Sequence, residues 1–300
     1  MRGLKSQPTS PRRDLSGLSG RVDIKVLVYI KSMIPKDLFH YTKKDTALEK
    51  ILFECRIKLG QLRYTNDPRE TKNPSFSFSN ATIDSWSIEM YEKVINEARR
   101  IYQEEWNVLC MTKNLPTRKY RDEKLQGVME QSRHGYAHPK MWAHYGENHS
   151  GVCIVFDGKK LEANIKSSLK GRCTVFSGSV NYKAYGILHN RPIDEADIDK
   201  YGLTEGIRKY FFKNHMELFL TKHPDWKSET EFRWIIHNKS NCPEFVNIEG
   251  TIKYILVGSE FPKAYEESIK ELCKKIKIPA GKIVWINGMP IPSFGSIYSP

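Results

Sequence analysis

Two polar groups far apart in the chain are of residue types that do chemistry. The later one is Trp226-Lys227-Ser228-Glu229-Thr230-Glu231-Phe232-Arg233-Trp234-Ile235-Ile236, and its end reads as a strand. Side chains alternate across a strand, so Glu229, Glu231 and Arg233 are expected on one face and Phe232, Trp234 and Ile236 on the other. The charged face would carry two carboxylates and a guanidinium close together, with Trp226 nearby. The earlier group is His40-Tyr41-Thr42. Between them lie Asn66-Asp67-Pro68 and the pair Trp142-x-x-Tyr145. Plain alternatives exist for each. The acidic face can be an exposed ion-pair ladder on an edge strand. His40 can be a satisfied core histidine, Trp142 and Tyr145 core packing, and Asn66-Asp67-Pro68 a turn.

The elements that must position these residues are readable in outline. Leu38–Thr42 reads as a short strand carrying His40. Thr46-Ala47-Leu48-Glu49 matches a capping box opening a helix, and Arg56–Leu59 is a further short strand. Tyr64–Glu70 is a loop, because the residue before a proline avoids the helical region. Tyr91, Val94, Ile95, Ala98, Ile101 and Tyr102 keep a helical period within 86–102. Strands follow at 106–112, 151–157 and 174–182, with a helical turn at 140–146. A helix over 207–220 leads into the acidic segment. The end of the chain reads as a strand at 252–258, a helix through Tyr265, Ile269, Leu272, Cys273 and Ile276, and a strand at 282–286. Strands and helices interleave without regular alternation. The expected class is therefore α+β, a mixed or split sheet flanked by helices in a single domain over 33–300. Residues 113–138 are strongly charged and read as a mobile insertion or lid. Residues 1–32, with Pro8, Pro11 and two Ser-Gly pairs, read as a flexible N-terminal extension, with Met33 a candidate functional start.

Composition narrows the function classes. No apolar run approaches the ~18 residues of a membrane span, so no membrane partner is expected. The six cysteines are scattered without C-x-x-C and read as reduced core residues of a cytoplasmic protein. The net charge of +13 favours encounter with polyanions. No P-loop or G-x-G-x-x-G is present. His134 and His138 are four apart, with His144 and His149 beyond, but the spacing of a structural zinc site is missing, and no metal is expected.

The motifs together carry a resemblance. H-Y-T near the start, N-D-P-x-E, M-W-A-H-Y-x-x-x-H-x-G-V-x-x-x-F-D, a V-x-Y strand and W-x-x-E-x-E-x-R run in order from about Phe39 to Gly258. This pattern resembles the prokaryotic domain of unknown function 2971 family, which is associated with abortive infection and defence. A looser resemblance is to ADP-ribosyltransferases, which share a His or Arg strand, a middle aromatic or Ser strand and a late Glu. That resemblance implies an ADP-ribosyltransferase-like fold and NAD as substrate. It would have His40 bind the adenosine-side ribose with Tyr41 and Thr42 beside it. Tyr145, or failing it Tyr182, would stack on nicotinamide, with Trp142 and Arg233 completing the NAD site. Glu231 would be the late catalytic Glu, and Glu229 the first Glu of an E-x-E pair.

The leading expectation is an NAD-consuming ADP-ribosyltransferase-like enzyme or NAD glycohydrolase, a toxin or anti-phage effector with an RNA, DNA or protein acceptor. The second reading is a non-enzymatic nucleic-acid-binding or sensor module. The third is a metal-independent nuclease using His40, His144 or His149 with Glu231 as acid and base.

Overall fold

The computed structural model describes residues 34–71, 76–79, 86–116, 123–184, 191–240 and 244–300. The N-terminal extension read at 1–32 and the start at Met33 lie outside the described residues, as does Cys242.

Eight strands follow one another across a large sheet, from Met289–Tyr298 at one edge to Thr174–Ser179 at the other. Between them stand Ala280–Ile286, Ile252–Val257, Val152–Asp157, Asp37–Thr42, Trp106–Lys113 and Glu231–His237. Gly60–Gln61 adds a ninth strand beside Trp106–Lys113. Neighbours are antiparallel except Ile252–Val257 with Ala280–Ile286, which are parallel. The architecture is therefore α+β with a mixed, mostly antiparallel sheet.

One face of this sheet buries a single core. Leu109, Met111, Phe232, Trp234 and Ile236 meet Leu161, Ile165 and Leu169 from helix Gly158–Leu169. Ile269 and Cys273 from helix Glu266–Ile276 complete the cover. The other face carries two separate clusters. Helices Ile88–Glu104 and Leu203–Phe219 cover the end near Trp106, Val108 and Ile235. Tyr136, Ala137, Met141 and Trp142 cover Phe39, Tyr41, Cys153 and Val155. A fully buried aliphatic side chain contributes about 1.5–3 kcal/mol, so two covered faces anchor the sheet firmly. Between the two clusters of the second face the sheet opens. Asp37–Thr42 and Trp106–Lys113 pair at Leu38↔Lys113 and Phe39↔Thr112. Beyond Phe39 each strand stays with its outer neighbour, His40 with Ile154 and Cys110 with Arg233.

Several local expectations change. Helix Ile88–Glu104 starts as its period demands, with Ser87 Oγ accepting from the Met90 amide. The capping box at Thr46 does not form: Asp45 precedes a π-helical segment, Thr46–Leu52, and makes no side-chain cap. The strand expected over 174–182 divides at Val180 into Thr174–Ser179 and Asn181–Tyr182. Within 113–138, Glu123–Gln131 is helical, while Tyr136 and Ala137 are buried and the Tyr41 hydroxyl donates to the Gly135 carbonyl at 2.6 Å.

Gly258 closes the strand Ile252–Val257 where the turn at Glu147–His149 passes. A Cβ there would stand 1.9 Å from the His149 carbonyl oxygen. Backbone cannot step aside as a side chain can. Gly258→Ala is therefore expected to destabilise the fold by about 1–3 kcal/mol, the usual range for overpacking, read as a lowered urea midpoint.

Candidate functional site

The opening in the sheet holds a cavity of about 180 Å³. His40 and Tyr41 line it from one strand, Cys110, Met111 and Thr112 from the next, and Glu231 and Arg233 from the third. Tyr64, Thr65 and Asn66 form another wall, and Met141, Tyr145, Lys222 and Glu229 close it. Six of the eight residues that the second resemblance assigns to an NAD site thus share one cavity: His40, Tyr41, Tyr145, Glu229, Glu231 and Arg233. Thr42 is buried but does not line it.

Trp142 corrects the expected site. It is fully buried, its indole N–H donates to the Tyr136 carbonyl at 2.8 Å, and Tyr41 meets it edge-on at 5.0 Å. Its ring is core packing and offers no face to a ligand. Tyr145 follows the last residue of helix Pro139–His144, and its ring turns to the cavity instead.

The acidic pair is built differently from a strand face. Strand Glu231–His237 begins only at Glu231, and Glu229 ends the 3₁₀ segment Pro224–Glu229. Thr230 between them is left-handed, with φ 46° and ψ 49°. Such a conformation is uncommon for a β-branched residue. It is held from outside, since Thr230 Oγ1 donates to the Lys113 carbonyl at 3.0 Å and the Lys113 amide donates to the Thr230 carbonyl at 3.0 Å. The acids are also not an exposed ladder. Glu231–His237 lies between two strands and is buried along its whole length.

Burial without partners would make these charges costly, and the partners include Lys222, which the sequence did not single out, and Glu70, the last residue of the N-D-P-x-E motif. Lys222 ends the two-residue strand Thr221–Lys222, just after helix Leu203–Phe219. Its Nζ donates to Glu229 Oε2 at 2.8 Å and stands 2.9 Å from Glu231 Oε2. Glu231 Oε2 itself accepts no directed hydrogen bond. The Tyr145 hydroxyl donates to Glu229 Oε1 at 2.6 Å. Arg233 Nε donates to Glu231 Oε1 at 2.8 Å, and Nη1 donates to the Phe219 carbonyl at 2.9 Å and pairs with Glu70. Glu70 is buried in the short helix Pro68–Thr71, in the segment read as a loop and as the N-D-P-x-E motif. Tyr182 supports the acid from behind, its oxygen accepting the Glu231 amide at 2.9 Å.

The electrostatics follow from burial set against these partners. Burial alone raises a carboxyl, but Arg233 and Lys222 outweigh it and hold Glu231 down at about 2. Burial opposes the Lys222 charge, yet Glu231 leads the groups that keep it well above its ordinary range. For Tyr145, burial and then the Glu229 charge push the phenol well up, so it stays a donor. His40 lies across the opening with Nδ1 3.4 Å from the Cys110 carbonyl oxygen, and burial lowers its pKa against that contact. At neutral pH its imidazole is uncharged. In the lining, Glu229 and Glu231 stand against Lys222 and Arg233, and Glu70 pairs with Arg233 from outside the cavity.

The depressed Glu231 has a consequence in acid. Its contribution to stability is fully present above 4.5, the ordinary value, and is lost as pH falls towards about 2. Across that window the urea midpoint of the wild type is expected to fall more steeply than that of Glu231→Gln. Equal slopes would show that the ion pairs add nothing to folding.

Among the described residues, no three His, Cys, Asp or Glu side chains group to hold a metal ion. His134 stacks on Tyr136, and His149 meets Trp285 edge-on. Cys55, Cys110, Cys153, Cys173 and Cys273 are free thiols. No described helix is long and apolar enough to cross a membrane.

No curated protein matches the chain, and no solved structure matches it. Residues 141–234 match the family model described as Protein of unknown function (DUF2971). That stretch, which is similar to the family, carries Met141, Tyr145, Lys222, Glu229, Glu231 and Arg233 of the cavity.

Proposed function

We propose that this cavity cleaves the nicotinamide–ribose bond of NAD, as an ADP-ribosyltransferase-like enzyme. The observation that carries the reading is the meeting of an uncharged His40 with the Glu229–Glu231 pair in one cavity at the opening of the sheet. NAD presents a cationic nicotinamide ring. As the C1′–N bond breaks, the bonding electrons pass to the ring nitrogen and nicotinamide leaves neutral. Positive charge moves onto the ribose, which an acceptor oxygen then captures with release of a proton. A carboxylate fixed beside that ribose stabilises the transition state more than the ground state. Glu231 is such a group, ionised and held from one side by Arg233. The Tyr145 ring offers the planar leaving group an aromatic face. Glu229, which its partners hold at the wall, is the group to receive the acceptor's proton. The basic chain suits an anionic acceptor such as RNA or DNA, and a protein acceptor is tested alongside. A defence or toxin role belongs to this same reading.

The test is direct. Purified protein is incubated with NAD, with and without RNA, DNA and protein acceptors, and free nicotinamide is measured. Release above the uncatalysed rate supports the proposal. No release under any of these conditions overturns it, and steeply salt-dependent nucleic-acid binding in its place would favour the non-enzymatic reading.

A further inference from the structure

Resting on the NAD reading above, we infer that Tyr64 is the stacking platform for the adenine half of the dinucleotide. Size is the first argument. Pockets that enclose a drug-sized ligand run to about 300–1,000 Å³, and this cavity is about 180 Å³. It is too small to enclose the whole dinucleotide, so part of the dinucleotide must lie against the rim.

The rim supplies a suitable surface. Tyr64 lines the cavity, yet 73% of it is exposed. A tyrosine so open is unusual beside a concave site, where aromatic faces are ordinarily used. The ring is also pre-positioned. It ends the 3₁₀ turn Leu62–Tyr64, and Thr65 locks that turn with both its amide and its hydroxyl on the Leu62 carbonyl, at 3.1 and 2.9 Å. Leu62 is itself fully buried. The Arg63 guanidinium stands 5.0 Å from the centre of the Tyr64 ring, and its Nε donates to Gln61 at 3.0 Å. A ring backed by a guanidinium on one side leaves the opposite side for a base. Every base has a π-face, so such a platform binds by stacking.

Two measurements on the full chain decide it. The first compares kcat/KM for nicotinamide release from NAD with that from nicotinamide mononucleotide, which lacks the adenylate half. Tyr64→Ala is expected to lower the NAD-to-mononucleotide ratio by roughly 5- to 150-fold, the span of one lost base–aromatic stack. Tyr64→Phe, which keeps the face, is expected to restore it. A ratio that does not move, or that Phe fails to restore, overturns the platform. The second is a calorimetric titration with ADP-ribose, which needs no turnover. Weaker binding in Tyr64→Ala, recovered in Tyr64→Phe, supports the platform, and equal binding overturns it. If the wild type releases nicotinamide from neither substrate, the NAD-cleavage reading fails by itself and the titration still decides Tyr64.

Discussion

Glu231→Gln is expected to lower nicotinamide release by roughly 10²–10³-fold, the usual effect of losing one fixed electrostatic partner in a water-poor site. Glutamine keeps the size and can still accept from Arg233 Nε through its carbonyl oxygen, the bond that Oε1 makes at 2.8 Å. What it removes is the negative charge at the cavity wall. The change should fall mainly on kcat, because the charge matters most once the ribose becomes cationic. Circular dichroism and the urea midpoint would separate a catalytic loss from a folding loss. An unchanged kcat in a folded variant would remove Glu231 from the reaction, and with it the proposed chemistry.

Arg233→Met is expected to be the most damaging single change to stability. The guanidinium is completely buried and pairs with Glu231 on one side and Glu70 on the other. Removing one partner of a buried ionic group leaves charge uncompensated, which costs about 3–5 kcal/mol. Domains of this kind have only about 5–15 kcal/mol in total, so a large share of the stability goes. The cause can be isolated. In a Glu70→Gln, Glu231→Gln background the same Arg233→Met change should cost much less, since the orphaned carboxylates are already neutral. Equal losses in both backgrounds would show that the damage is loss of packing and not loss of charge balance. The Phe219 carbonyl loses its donor in either case, so some cost remains.

How much of this was legible beforehand can be traced residue by residue. The strand at 106–112, the strand at 151–157 and the helix within 86–102 follow from short-range periods, and the chain forms them at those places. Glu231 and Arg233 do share one face of a strand. Glu229 reaches the same place through the left-handed Thr230, which no alternation rule anticipates. Trp142 and Tyr145 form a pair on paper, yet the helix ends between them and they part into core and cavity. Lys222, in a two-residue strand, gave no usable sign. Glu70 closes the N-D-P-x-E motif, but the arginine that it pairs with lies 163 positions away, so its partner was not readable.

The amino-acid order alone therefore determined the class of the fold, the run of its main elements and the residue types able to do chemistry. Those are local properties, set by the alternation of apolar and polar side chains over a few residues. The tertiary structure alone decided that the sheet opens between Asp37–Thr42 and Trp106–Lys113, and which side chains meet in that opening. It also decided which charges balance there, because pairing a buried ion depends on neighbours brought from every part of the chain.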